Sequence, residues 1–166
     1  MRAPLYTAAE RVRRDSSPWT RIQGILAPTQ FAVFLISLFL VLRYLFTGHS
    51  QEAATLSILC KTLLLYTIMI TGALWERDVF GRYLFARAFF WEDAVSMVVI
   101  GLHSAYLLAL WTSILTARQQ MFIALAGYAT YVINATQFLL KLRTARHESV
   151  AAFPQSGAAM LTGAGP

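Results

Sequence analysis

Apolar residues dominate four blocks of the chain, each about as long as a membrane span. These blocks cover residues 25–46, 53–74, 94–115 and 121–142. A helix needs about 20 residues to cross a hydrocarbon core of about 30 Å. Only a helix satisfies its own backbone hydrogen bonds in such a segment. The pattern predicts an all-α fold, an integral membrane four-helix bundle that forms one domain over residues 1–148.

The two ends of the chain carry weaker patterns. The sequence TAAE, from Thr7 to Glu10, fits the capping box of a short helix that runs through Arg14. We expect this helix to lie on the membrane surface, and a solvated basic arm is the alternative. Residues 149–166 are rich in Ala, Gly, Ser and Pro, so we expect a disordered tail there.

Composition and charge placement predict how the chain sits in the membrane. The chain is 57% hydrophobic and only 13% charged, which is too apolar for an ordinary soluble domain. Eleven Lys and Arg residues lie in the N-terminal segment, the second connection and the C-terminal flank, against two, Arg43 and Arg118, by the other connections. Because positive residues favour the cytoplasmic side, both termini and Arg82 are predicted to be cytoplasmic. The net charge of +6 then reflects topology and attraction to anionic lipid of the cytoplasmic membrane, not nucleic-acid binding.

Several polar side chains interrupt the apolar blocks, where exposure to lipid would be costly. Helical spacing places Glu92, Ser96 and His103 on one face of the third block. Lys61 lies about three turns inside the second block. Together these residues predict a bundle with a polar interior, and hydrogen bonding between helices is the alternative role for several of them. The set is Gln30, Ser37, Lys61, Glu92, Ser96, His103 and Asn134.

The stretch WERDVFGRYLFARAFFWED, residues 75–93, holds four of the chain's eight acidic residues among many aromatic ones. One interpretation is an interfacial belt in which the carboxylates balance Arg77, Arg82 and Arg87. The other is the mouth of an active site, where aromatic rings hold a flat ligand and carboxyl groups move protons. Spacing alone leaves both open.

The chain resembles a known family over nearly all of its length except the tail. It is similar to the bacteriochlorophyllide C3-vinyl hydratases of phototrophic bacteria, which are small membrane enzymes of bacteriochlorophyll a biosynthesis. The stretches that carry the resemblance are PLYTAAERVRRDSSPWTRIQGILAPTQFAVFLISLFLVLRYL (4–45), KTLLLYTIMITGALWE (61–76), VFGRYLFARAFFWEDAVSM (79–97) and YATYVINATQFLLKLR (128–143).

The resemblance implies a reaction in which water adds to the C3-vinyl group of a chlorophyllide or bacteriochlorophyllide to give a 1-hydroxyethyl group. No redox cofactor is implied, and magnesium enters only as part of the substrate. The chemistry needs an acid for the terminal vinyl carbon, a positioned water and a base. Glu76, Glu92 and Asp93 are the catalytic candidates on these chemical grounds, with Glu92 preferred as the acid because it shares the inward face with His103.

A magnesium tetrapyrrole also needs binding groups. Arg82, Arg87 or Lys141 could pair with its propionate, and His103 or Asn134 could lie near its magnesium. We expect membrane lipid and neighbouring bacteriochlorophyll biosynthesis enzymes as further partners. The alternative function is a non-catalytic tetrapyrrole carrier or photosynthetic assembly factor, which would not need the carboxyl groups. The candidate substrate-binding residues are Gln30, Lys61, Arg82, Trp91, His103 and Asn134.

Overall fold

The structure, a computed structural model, describes residues 5–152, and residues 146–152 by their backbone alone. All regular secondary structure in this part of the chain is helical, and four of its helices are long and apolar enough to cross a membrane. The predicted all-α class is therefore confirmed, and four long apolar helices that could cross a membrane correspond to the four predicted blocks. The helices are α1 (Ala8–Ser16), α2 (Pro18–Thr47), α3 (Gln51–Phe80), α4 (Phe90–Thr112) and α5 (Ala117–Ala152).

Most helices extend beyond the apolar blocks, because polar turns at the membrane surface continue a helix that the hydrocarbon core does not require. α2 begins at Pro18, whose missing N–H costs nothing at the first helical position. α4 is the exception, since it ends at Thr112 and not at residue 115, where Ser113 turns the chain with φ 52°. α5 continues to Ala152, and the rest of the predicted tail lies outside the described residues.

The N-terminal helix has the predicted cap. The Thr7 hydroxyl oxygen accepts a hydrogen bond from the backbone N–H of Glu10, and a Glu10 carboxylate oxygen accepts one from the Thr7 N–H at 2.7 Å. The residue before the cap, Tyr6, is 5% exposed and stacks on Phe80 at the end of α3, with ring centroids 5.8 Å apart. This contact fixes the start of α1 against the bundle.

The long helices form two antiparallel hairpins. α2 lies along α3, where Gln23 donates to the Thr71 hydroxyl at 2.7 Å and Trp75 donates to the Thr20 hydroxyl at 2.9 Å. α4 lies along α5 in the same manner. A positive φ of 72° at Gly48, which glycine adopts without strain, begins the turn between α2 and α3.

The interface between the α2–α3 hairpin and the α4–α5 hairpin is called the hairpin seam below. Phe34 and Tyr131 meet across it with ring centroids 5.0 Å apart. Next to them, the hydroxyl groups of Ser37 and Tyr128 lie 2.6 Å apart. The seam is thus polar in places, whereas the outward faces are apolar and exposed, as expected of helix surfaces in lipid. Examples of these exposed side chains are Phe39, Leu63, Ile70, Leu108 and Leu139.

Candidate active site

The connection between α3 and α4, residues 81–89, is held by two buried carboxyl groups. The backbone N–H of Ala86 donates to Glu76 Oε2 at 3.2 Å, and the N–H of Phe85 donates to Asp93 Oδ2 at 2.7 Å. Phe85 adopts φ 59°, which turns the chain so that these neighbouring N–H groups reach carboxyl groups on two different helices. The carboxyl groups therefore fix the backbone at this end of the seam.

Glu76 and Asp93 also contact each other. Their side chains are 4% exposed each, and the two carboxyl groups lie within hydrogen-bonding reach. Two ionised carboxylates at this separation repel one another strongly in a buried site. A single proton shared between them would remove that repulsion and supply a hydrogen bond. The pair can therefore donate a proton and later take one back.

Glu92 has a different partner. Its Oε2 lies 2.6 Å from Nζ of Lys141 on α5, in an ion pair whose carboxylate side chain is 8% exposed. The same Lys141 amine donates to the carbonyl oxygen of Ala88 and lies 4.8 Å from the centroid of the Phe89 ring. Glu92 is therefore a hydrogen-bond acceptor in a fixed ion pair, which distinguishes it from Glu76 and Asp93.

Aromatic rings enclose the carboxyl groups. Phe89 lies at the centre of this cluster, 5.5 Å from Trp75 and 6.0 Å from Phe138 between ring centroids. Tyr6 closes it from the N-terminal side, where burial raises the pKa of its hydroxyl to about 12 although the Arg14 guanidinium acts in the opposite direction. Such a cluster provides flat apolar surface beside proton-transferring groups.

Sequence reasoning did not select Tyr6 or Phe138 as site residues. A signal for Phe138 was present, since it follows Asn134 by four residues and precedes Lys141 by three, and therefore lies on the same helical stripe. No such signal exists for Tyr6. It reaches the cluster because α1 packs against α3, which is a tertiary contact.

The polar residues predicted inside the spans lie in the bundle interior. Lys61 is completely buried, and its amine lies 3.3 Å from His103 Nε2 across the seam, so it points inward and pairs with a polar group as expected. Asn134 donates to the Ser96 hydroxyl at 2.7 Å. Gln30 is 1% exposed, and neither its amide nitrogen nor its amide oxygen has a hydrogen-bond partner among the described residues.

Two further candidates lie away from this interior. The Trp91 side chain is 71% exposed and contacts the Phe90 ring, whereas its neighbours Glu92 and Asp93 are buried. Arg82 is exposed on the connection between α3 and α4. The structure therefore brings the three acidic candidates together at one end of the seam and leaves Trp91 and Arg82 on the outside.

The fold and this site define a class, an all-helical protein with four helices that could cross a membrane and a buried carboxyl cluster beside aromatic rings. Residues 6–144 match the model of the 2-vinyl bacteriochlorophyllide hydratase family, and the chain belongs to that family. A 2-vinyl bacteriochlorophyllide hydratase of Rhodobacter capsulatus is 67% identical over 145 residues, which cover 87% of this chain and 84% of that protein. One of Cereibacter sphaeroides is 65% identical over 148 residues, which cover 89% of this chain and 92% of that protein. No solved structure matches the chain.

Proposed function

We propose that this chain adds water to the vinyl group of a bacteriochlorophyllide, the C3-vinyl group that older ring numbering places at position 2. Its product carries a 1-hydroxyethyl group at that carbon. Membership of the family and two relatives that are 65% and 67% identical over most of the chain support this activity. The observation that carries the mechanism is the buried contact between Glu76 and Asp93.

The first step is protonation of the vinyl group. The proton shared by Glu76 and Asp93 passes to the terminal vinyl carbon, whose double-bond electrons form the new C–H bond. Positive charge then develops on the carbon attached to the ring and spreads into the macrocycle. The two carboxylates left behind lie beside this cation and stabilise it, which is the kind of preorganised electrostatic support that lowers barriers most.

The second step is attack by water on the positively charged carbon. A lone pair of the water oxygen forms the C–O bond, and the proton that the water loses returns to the Glu76–Asp93 pair. The substrate gains two hydrogens and one oxygen, and the pair returns to its starting state. Because the addition of water is not a net oxidation or reduction, the proposed reaction needs no redox cofactor.

Glu92 receives a supporting role in this proposal. Its ion pair with Lys141 at 2.6 Å makes it an acceptor that already has a partner, whereas Glu76 and Asp93 offer a proton to each other. Lys141 also binds the Ala88 carbonyl, so Glu92 and Lys141 hold the end of the connection against α5. The preferred acid is therefore the Glu76–Asp93 pair, and Glu92 positions it.

The substrate would bind in the hairpin seam with its vinyl edge toward the carboxyl groups. Gln30, Lys61, His103 and Asn134 would contact its deeper part, since all four are buried in the bundle. His103 would lie near the magnesium of the substrate. Trp91 and Arg82, both exposed, would contact the macrocycle where it enters from the surface.

We further propose that both termini and the 81–89 connection face the cytoplasm in the cytoplasmic membrane. The excess of Lys and Arg at these sites supports this orientation. α1, with Glu10, Arg13 and Arg14 in its first and last turns, would then lie on the cytoplasmic surface. This placement would also allow neighbouring enzymes of bacteriochlorophyll biosynthesis to exchange poorly soluble pigment with the seam.

The proposed activity is tested with membranes that contain the full-length chain. They are incubated with 3-vinyl bacteriochlorophyllide, and mass spectrometry is used to look for a product heavier by one water. Membranes from the same host without the chain are the control. Pigment that binds to the protein and is recovered unchanged would indicate a carrier and would overturn the enzymatic proposal.

A further inference from the structure

Lys61 is a buried amine without an anionic partner. Its side chain has no exposed surface, and no carboxylate among the described residues forms an ion pair with it. A buried charge is normally paired, because an ion that loses its hydration needs a partner to offset that loss. Only one hydrogen bond is formed by this amine within the described chain, the contact of 3.3 Å to His103.

The other hydrogen bond of His103 determines which of its ring nitrogens accepts from Lys61. His103 Nδ1 lies 2.8 Å from the carbonyl oxygen of Val99, and since a carbonyl only accepts, Nδ1 carries the hydrogen. Nε2 is then an acceptor and takes one hydrogen of the Lys61 amine. An ammonium group has three N–H donors, so two remain for other groups.

Aromatic rings surround the amine without neutralising it. Its nitrogen lies 4.2 Å from the centroid of the Tyr131 ring, 5.2 Å from that of Tyr128 and 5.9 Å from that of Phe34. Ring faces attract a cation, and this attraction is stronger when the contact is desolvated. The rings therefore favour a cation at this position but leave its charge uncompensated.

A second group with unused hydrogen bonds lies in the same seam. Gln30 is one turn from Phe34 along α2, on the side toward the carboxyl groups, and both polar atoms of its amide lack a partner among the described residues. Asn134 lies one turn from Tyr131 in the same direction along α5, and its Oδ1 is also unpartnered there. Phe34 and Tyr131 are in contact, so the register places these amides at one level of the seam.

We propose that Lys61 binds the free propionate carboxylate of the bacteriochlorophyllide and so selects the free acid over its esters. This inference rests on the proposed function, because that function identifies the substrate. A bacteriochlorophyllide differs from the corresponding bacteriochlorophyll in having this carboxylate unesterified. This carboxylate therefore supplies the anionic partner that Lys61 lacks.

The spacing along the helices is compatible with this placement. Lys61 and Glu76 are fifteen residues apart on α3, and Asp93 and His103 are ten apart on α4. At about 1.5 Å of rise per residue these separations are roughly 22 and 15 Å. Because the Lys61 and Glu76 side chains can extend toward each other, the gap between their charged ends is shorter than the helix rise. That gap is about the length of a macrocycle with its propionate arm.

The test measures binding of 3-vinyl bacteriochlorophyllide and of its propionate methyl ester to the full-length protein in lipid nanodiscs. Pigment absorbance reports the dissociation constant, and nanodiscs without protein correct for partition into lipid. Wild-type protein should bind the acid about 10- to 100-fold more tightly than the ester, as expected for hydrogen bonds to a charged group. Equal binding of the two pigments would overturn the proposal.

Lys61→Met retains most of the apolar volume and removes the charge. It should reduce the preference to about one by weakening binding of the acid, with the affinity for the ester unchanged. An exposed pair that has no role in the proposed site, Arg43→Gln with Arg118→Gln, is the comparison, and this double variant should keep the wild-type preference. A preference that persists in Lys61→Met, or that disappears in the arginine variant, would locate the carboxylate elsewhere. If Lys61→Met does not accumulate, the wild-type and arginine results decide.

Hydration is scored separately from binding in the same samples. Selective binding of the acid without formation of the hydrated product would leave the Lys61 assignment standing and would refute the proposed function. Equal binding of acid and ester, with hydration of both, would refute the Lys61 assignment and leave the proposed function standing. The two proposals therefore fail in distinguishable ways.

Discussion

Lys141 and Glu92 connect the last helix of the bundle to the first turn of α4 through an ion pair in which 2.6 Å separates Nζ from Oε2. The amine also donates to the Ala88 carbonyl, one residue before the buried ring of Phe89. One ammonium group thus holds both the end of the 81–89 connection and the start of α4. The position of the acidic cluster depends on this contact.

The first prediction tests whether the Lys141–Glu92 ion pair has a structural role or Glu92 is the catalytic acid. Lys141→Met leaves Glu92 buried and unpaired, so it should lower stability more than the double variant with Glu92→Gln. Thermal unfolding in detergent of both single variants and the double variant should give a coupling energy of roughly 1–3 kcal/mol. Glu92→Gln should keep measurable hydration when it is folded. Loss of turnover in a stable Glu92→Gln protein would instead make Glu92 the acid.

The second prediction concerns Glu76 and Asp93. Glu76→Gln and Asp93→Asn keep an oxygen for the Ala86 and Phe85 N–H groups but remove the shared proton. Each variant should fold and bind pigment, and each should lose hydration by about 10²–10⁴-fold, as expected when general acid catalysis is removed. Turnover and pigment absorbance are measured on the same preparation.

A matched control for these carboxyl substitutions is Glu52→Gln, since Glu52 is an exposed residue in the first turn of α3, at the opposite end of that helix. It should hydrate the pigment like the wild type. Near-normal hydration by both Glu76→Gln and Asp93→Asn would reduce the cluster to an interfacial belt.

Periodicity predicted part of this site. Glu92, Ser96 and His103 share a face by helical spacing alone, and all three are buried. Lys61 was placed inside the bundle because a cation facing lipid is costly, and it has no exposed surface. Both inferences follow from the geometry of a single helix and from the energetic cost of exposing polar groups to lipid.

Periodicity along single helices did not predict which residues on different helices contact each other. Glu76 and Asp93 meet because α3 continues to Phe80 and the connection turns sharply at Phe85, which the sequence does not specify. Similarly, Lys141 could be assigned to a propionate as readily as to Glu92, since the relative rotation of α4 and α5 decides between them. Burial is readable along one helix, whereas pairing depends on how two helices are rotated and aligned.

The third prediction concerns orientation in the membrane. Eleven cationic residues on one predicted side against two on the other favour cytoplasmic termini. Reporter fusions at His49 and Arg118 should therefore score as periplasmic, and a fusion at Arg82 as cytoplasmic. A periplasmic score at Arg82 would invert the proposed topology and move the acidic cluster to the other side.

The final prediction tests the close packing that holds His103. A Cβ atom on Gly127 would lie 2.9 Å from His103 Cε1 and 3.0 Å from its Nδ1, whereas one on Gly101 would meet no atom within 4 Å. The ring has little freedom to move, since Nδ1 is bonded to the Val99 carbonyl and Nε2 to Lys61. Gly127→Ala should therefore lower the free energy of unfolding by about 1–3 kcal/mol through overpacking.

Gly101→Ala, the matched control, should be neutral or slightly stabilising because it restricts the unfolded chain. Thermal unfolding of both variants in the same detergent measures the difference. Equal midpoints would mean that the α4–α5 contact yields easily, and that His103 is not held rigidly beside Lys61.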